Sequence, residues 1–225
     1  MLLQGGEDLK SIALLSGGID SAAALFWSKS MGRQVYALTF DYEREQSPEL
    51  RAAKKVARAA GVERHFIVKM GFYKRLNGSP SARRTVIVDP DDGISQAYVP
   101  GRNIVFLGVS AAYAETLGAE EVVTGHNLGD ADRFPDANPT FFEAFNKLLM
   151  LGLKGGSAGR PVKVVVPFED MSKVRVLAKA LELGVPLKDT WSCYNNGSRP
   201  CGLCYGCKSR RQAFRELGVS DPLMG

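Results

Sequence analysis

The first 192 residues of this 225-residue chain contain no cysteine, and all four cysteines fall between Cys193 and Cys207. That distribution excludes a disulfide framework spread through the fold, and thiols gathered so closely more often hold a metal. Histidine is nearly absent: His65 sits in an apolar run, and His126 is the other of only two. Neither is set up as a general base, and both are read as structural. No apolar run approaches the ~20 residues of a membrane span, and the opening MLLQGGEDLK has no basic region leading into an apolar one. A cytoplasmic protein without a membrane partner is expected. Also missing is a basic tract. The formal charge is +5, from 29 Lys and Arg against 24 Asp and Glu, and these residues are dispersed. This suits a nucleotide ligand better than a stable nucleic-acid partner.

What is present suits one substantial core, with 45% apolar and 24% charged residues. SIALLS (residues 11–16), QVYALTF (34–40), RHFIVKM (64–70) and EEVVTG (120–125) are short apolar or β-branched runs. Between and after them, DSAAALFWSKSM, SPELRAAKKVARAA, NIVFLGVSAAYAETLG, PTFFEAFNKLLMLG and DMSKVRVLAKALELG carry apolar residues at helical spacing. Strands alternating with covering helices predict an α/β fold with a doubly wound parallel sheet. Residues 1–188 are assigned to that domain and residues 189–225 to a small C-terminal metal-binding element. Two loops rich in Gly, Pro, Ser or Asp, at 71–100 and 127–139, follow strands, where open α/β sheets place their ligands.

LLSGGIDSAA (residues 14–23) ends a strand and begins a helix. Backbone N–H groups at such a turn converge on an anion, aided by the helix dipole. Gly17 and Gly18 allow close approach, and Ser16 and Ser21 add hydroxyls. The binding stretch is taken as Leu15, Ser16, Gly17, Gly18, Ile19, Asp20, Ser21 and Ala22. The loop lacks the Gly-Lys-Ser/Thr ending that reaches a γ-phosphate, and Ser21 stands where a dinucleotide fingerprint has its third glycine.

Cys193, Cys201, Cys204 and Cys207 have the spacing C-x7-C-x2-C-x2-C. Four thiolates complete a tetrahedral Zn²⁺ shell with no open position, which predicts a structural site; an iron–sulfur cluster is the other chemistry this donor set suits.

The SGGIDS stretch resembles the pyrophosphate loop of the N-type ATP pyrophosphatases, which split ATP between the α and β phosphates. Further along, VPGRN (99–103), the Gly-x-Asn of GHN (125–127), the Phe-Pro-Asp of RFPDAN, TWSCY (190–194) and CGLCYGC follow in the order found in the 7-cyano-7-deazaguanine synthase family. The resemblance covers nearly the whole chain. It implies the adenine nucleotide alpha hydrolase fold and an ATP-dependent ligase of queuosine and archaeosine precursor synthesis. Such an enzyme converts 7-carboxy-7-deazaguanine and ammonia to the nitrile through an adenylated carboxylate and an adenylated amide. ATP is then a co-substrate, with Mg²⁺ on its phosphates and structural Zn²⁺ on the cysteines. Asp20 and Lys173 are carried over as catalytic residues, and Arg102, Asn103, Asn127, Phe134 and Asp136 as substrate-binding ones. A homodimer is the expected assembly. With all four cysteines held by metal, none remains for sulfur relay to tRNA or for a glutaminase, so free ammonia is the expected nitrogen source. The alternatives are a paralogous ligase acting on another acid and a tRNA-modifying ATP pyrophosphatase. One departure bears on this: the family pattern Phe-Asp-Tyr-Gly-Gln-Arg-His is replaced here by Phe40-Asp41-Tyr42-Glu43-Arg44-Glu45-Gln46.

Overall fold

Apolar residues at alternate positions form β1 (Lys10–Leu14), whose Ala13 faces one side of the sheet and whose Ile12 and Leu14 face the other. A computed structural model describes residues 9–41, 47–72, 98–195 and 197–224. The altered stretch 42–46 and most of the loop 71–100 lie outside the described residues. After β1 the chain runs through α1 (Ile19–Ser30), β2 (Gln34–Asp41), α2 (Pro48–Ala60), β3 (Arg64–Lys69), α3 (Arg102–Leu117) and β4 (Glu121–Val123). A short α4 (Leu128–Ala131), α5 (Pro139–Gly152), a short α6 (Lys154–Ser157), β5 (Lys163–Val165), α7 (Lys173–Glu182), a 3-10 turn (Leu187–Asp189) and α8 (Tyr205–Leu217) complete it.

The strands lie in the order β3-β2-β1-β4-β5, and every neighbouring pair is parallel. Ile12 sits between Tyr36 and Val122 in register. One face is covered by α1, α2, α7 and α8 around Leu25, Val56, Leu177 and Phe214. The opposite face is covered by α3 and α5 around Leu107, Phe142, Phe145 and Leu149. This is the doubly wound parallel sheet expected from the alternation. Chain order reverses between β1 and β4, so the loops after these strands open onto the switch-point crevice, where such sheets bind ligands.

Helix starts separate into two kinds. Ser47, Asn138 and Ser172 accept hydrogen bonds from the N–H groups of Leu50, Phe141 and Arg175, capping α2, α5 and α7. By contrast, α1 and α3 begin at Gly18 and Gly101 without a side-chain cap. The starts of α6 and α8 also lack one, and those of α1, α3 and α8 border the crevice.

β5 escapes sequence reading because three residues carry too little periodicity; its pairing with β4, Val122 opposite Val164, creates it. No described helix is long and apolar enough to cross a membrane.

Candidate active site at the sheet switch point

The glycine loop is held from below and from both sides. Leu15 N–H donates to Leu38 O at 2.9 Å, and Thr39 Oγ1 donates to Leu15 O at 2.6 Å. Having spent its proton, Thr39 accepts from His65 Nε2 at 2.7 Å, which fixes that imidazole's tautomer. Gly17 has φ 91° and packs so tightly on α2 that a Cβ would lie 2.4 Å from Glu49 O. On the opposite side, a Cβ on Gly125 would lie 2.5 Å from the Asp20 carbonyl, so only glycine lets the loop after β4 lie against the start of α1. Ser16 and Ser21 share a hydroxyl contact of 3.0 Å, and Ser21 Oγ donates to Gly18 O at 3.1 Å. The turn is therefore preformed around the free N-terminus of α1.

Two clefts adjoin at this turn, of about 320 and 410 Å³. Their common wall includes Ser16, Gly18, Asp20, Glu49, Asp130 and Tyr194. The first cleft is floored by Leu38, Phe40 and Phe106 and edged by Arg102, Asn103 and Phe134. Phe40 stacks on Phe106 with ring centres 4.0 Å apart. The second is lined by Asn127, Ser172, Lys173, Trp191, Tyr205 and Ser209.

The residues singled out from the sequence are distributed unevenly. Leu15, Ser16, Gly18, Asp20 and Ser21 line the first cleft, and Ile19 borders the second. Gly17 shapes the turn, while Ala22 is buried in the core. Arg102, Asn103 and Phe134 come together in the first cleft, whereas Asn127 opens to the second. Asp136 borders neither; it is buried behind Asn103, whose backbone N–H donates to its Oδ2 at 3.2 Å. Lys173 Nζ pairs with Asp20 Oδ2 at the common wall, and the other carboxylate oxygen, Oδ1, is buried without a partner.

Two features, Asp130 and Tyr205, were not singled out from the sequence, and a third, His126, was read only as structural. Asp130 closes a capping box with Asn127; burial pushes its carboxyl up to about 6, and the nearby Asp20 charge adds to the rise. The Asn-x-x-Asp spacing of residues 127–130 was the available signal. His126 is half-buried at the edge of the first cleft and lowered to about 4, mainly by desolvation and then by the Arg102 charge. Tyr205 lies under Arg133, whose guanidinium carbon is 3.7 Å from the ring centre and 5.8 Å from that of Phe134. That contact ties the start of α8 to the loop carrying Phe134.

The four cysteine sulfurs all lie within 4.8 Å of one another, with no disulfide among them. Cys201 and Cys207 Sγ are 4.0 Å apart, and Cys193 and Cys204 Sγ 3.9 Å. Backbone N–H groups of Asn195 and Cys201 approach Cys193 Sγ at 3.3 Å, and those of Leu203 and Cys204 approach Cys201 Sγ at 3.4 Å. Sulfur separation and N–H donation both fit four thiolates around one tetrahedral metal ion. The cluster adjoins the site: Trp191 N–H donates to Gly17 O at 2.8 Å, and Tyr194 and Tyr205 directly follow Cys193 and Cys204.

A parallel sheet with this glycine loop at its switch point, and no lysine for a γ-phosphate, defines a nucleotide-using α/β enzyme of the ATP pyrophosphatase class. Residues 10–218 match the family model described as queuosine biosynthesis protein QueC, and the chain belongs to that family. It is 39% identical over 224 residues to 7-cyano-7-deazaguanine synthase of Trichodesmium erythraeum, covering 96% of this chain and 100% of the relative. Among solved structures, it superposes on a predicted subunit of tRNA methyltransferase from Methanocaldococcus jannaschii with TM-score 0.51 and 14% identity, covering 96% of this chain and 92% of the other. A 4-thiouridine synthetase–RNA complex with bound ATP gives TM-score 0.50 and 19% identity, covering 93% and 50%. At those identities the likeness establishes the fold alone.

Proposed function

We propose that the protein converts 7-carboxy-7-deazaguanine and ammonia to 7-cyano-7-deazaguanine, using two ATP in succession at one site. The observation that carries this reading is the glycine loop acting as the common wall of both clefts. ATP lies with its base over Leu38 and Phe40 and its phosphates on the loop. The acid approaches the α-phosphate beside Arg102, whose planar guanidinium suits a carboxylate, and Phe134 supplies a stacking face. A carboxylate oxygen attacks the α-phosphate and pyrophosphate leaves onto the N–H groups at the start of α1. Ammonia then attacks the activated carbonyl and AMP departs, giving the amide. In the second round the amide oxygen is adenylated; AMP leaves and both amide protons are lost as the C≡N bond forms.

Positioning and charge stabilisation carry such a reaction, and no nucleophilic side chain is needed. Lys173 steadies Asp20 and neutralises developing phosphate charge. Asp20, whose Oδ1 is unpartnered, and Asp130, whose carboxyl is raised in part by the Asp20 charge, line the same wall, and two such acids are donors that would suit Mg²⁺. When bound, that ion supplies charge neutralisation on the phosphate oxygens.

Residues 1–188 form the ATP-binding domain in this reading, and residues 189–225 a structural Zn²⁺ element held by Cys193, Cys201, Cys204 and Cys207. Asn127 and Asp136 act at one remove from the reacting bond, Asn127 by shaping the second cleft and Asp136 by holding Asn103. The enzyme works in the cytoplasm, where the cysteines stay reduced, and as a homodimer. Support for the dimer is the apolar surface left open on α3 and α5, where Ile104, Leu148 and Leu151 are 52%, 57% and 78% exposed.

The test is incubation with ATP, Mg²⁺, ammonium and 7-carboxy-7-deazaguanine, with mass detection of products. Amide and then nitrile are expected. AMP formation with a different acid only would favour the paralogue, and turnover that needs tRNA would favour an RNA-modifying enzyme.

A further inference from the structure

A chain of polar contacts along the wall of the first cleft ends at one open atom. Thr124 Oγ1 lies 2.8 Å from His126 Nδ1, and His126 Nε2 lies 3.0 Å from Asn103 Nδ2. Asn103 Nδ2 also donates to the backbone carbonyl of Asp136 at 2.8 Å. A carbonyl can only accept, so Asp136 determines which end of the Asn103 amide is nitrogen. The second hydrogen of that nitrogen points to His126 Nε2, which must accept it. The imidazole proton is therefore on Nδ1, donated to Thr124. Burial favours this neutral form, with the His126 pKa lowered to about 4.

Both amide hydrogens of Asn103 are thereby used inside the protein. What remains is Oδ1, which has no protein partner and is not sealed from solvent, on a residue that lines the first cleft. The same cleft carries the stacked Phe40–Phe106 pair and Phe134, so its shape and walls suit a flat heterocycle.

We propose that Asn103 is a specificity residue whose Oδ1 accepts a hydrogen bond from an amino N–H of the planar heterocycle bound in the first cleft, with His126 as its positioning residue. The inference rests on the reading that ATP and a deazaguanine acid meet here, since both ligands carry such a group. Asn103 then offers nothing to a carboxylate: an outward-facing oxygen repels that anion, and Arg102 one residue earlier is left to take it. His126 also lines the cleft, but both its ring nitrogens are spent on Thr124 and Asn103, so its polar role is to hold the amide in the orientation that turns its oxygen outward.

The test compares each ligand with its desamino analogue by direct binding: ATP against purine riboside triphosphate, and 7-carboxy-7-deazaguanine against its 2-desamino form. For one of the two ligands, wild-type protein should bind the desamino analogue roughly ten- to hundredfold more weakly, because Oδ1 is left without a donor. Asn103→Ala should abolish that discrimination by weakening the amino ligand alone. His126→Phe, which frees the amide to turn, should reduce the discrimination while circular dichroism reports an unchanged fold. If His126→Phe does not fold, the Asn103→Ala comparison decides alone. Equal binding of analogue and parent in both arms, or discrimination that survives Asn103→Ala, overturns the proposal. Binding rather than turnover is measured, so a failure to make nitrile, which would overturn the functional reading, leaves this result interpretable.

Discussion

The two clefts beside the glycine loop share a wall and little else. The first is built from strand ends and the first turn of α3, so it has an apolar floor of Leu38, Phe40 and Phe106 beneath polar edges that include Arg102, Asn103, Thr124 and His126. The second is built from helix starts and the cysteine-bearing segment, so hydroxyls, charges and the Trp191, Tyr194 and Tyr205 rings line it. An apolar floor with oriented polar atoms at its edge suits a flat base, whereas a wall of charges and helix termini suits phosphates and a reacting anion. In the proposed reaction the chemistry falls at the shared wall, and the C-terminal segment shapes the second cleft through Trp191, Tyr194 and Tyr205.

That contrast is broken most forcefully at the back of the second cleft. Arg210 is buried and makes a two-pronged pair with Asp221, at 2.7 and 2.8 Å, while also donating to Thr190 Oγ1 at 2.8 Å and Leu187 O at 3.0 Å. Arg210→Ala leaves Asp221 charged, buried and unpaired, which should cost about 3–5 kcal/mol by denaturant unfolding. A change below 1 kcal/mol would mean that α8 is held by its apolar face alone. Next comes the shared wall. Asp20→Ala and Lys173→Ala should each lower kcat/KM roughly a hundredfold, about 2.7 kcal/mol in the barrier, with little change in thermal stability. Wild-type turnover in either variant removes that residue from the machinery.

Metal sharpens the comparison further. One Zn²⁺ per chain is expected by elemental analysis, and stripping it should lower the melting temperature and loosen the second cleft before the first. Protection from hydrogen exchange is the measurement: it should fall around residues 191–206 and persist in β1, β2 and α3. Loss spread evenly over both clefts would contradict this.

A smaller effect is expected in acid. His65 is lowered to about 4, by burial and then by the Lys54 charge, whereas its unfolded value is 6.5. Below pH 6.5 the unfolded chain takes up a proton that the folded chain refuses, so stability contributed by this site is lost as pH falls from 6.5 toward 4. His65→Gln, whose amide can still donate to Thr39, should flatten the melting-temperature profile over that window relative to wild type. Parallel profiles would show that His65 titrates normally in the folded state.

Most of the sheet was legible because each helix and long strand carries its own period, and because Ser-Pro and Asn-Pro pairs mark the starts of α2 and α5. The glycine loop was legible because backbone demands at a phosphate turn narrow the residue choice to glycine and small hydroxyls. The unread parts depend on contacts between distant residues. β5 exists through pairing with β4, and the partners of Arg210 lie 11 to 23 residues away. The orientation of Asn103 depends on His126 and Asp136, 23 and 33 residues further along. Tyr205 lies inside a cysteine motif whose spacing speaks only for a metal, and its place at the second cleft follows from the fold around that motif.

The central claim is that both oxygens of the acid leave on AMP at the shared wall. The most direct measurement uses 7-carboxy-7-deazaguanine with oxygen-18 in both carboxylate positions, together with ATP, Mg²⁺ and ammonium, and reads the label in the nucleotide by mass spectrometry. The account predicts AMP and pyrophosphate as the ATP products, two AMP per nitrile, with one label in each AMP and none in pyrophosphate. Label in orthophosphate with ADP accumulating, or AMP formed without label, would contradict it.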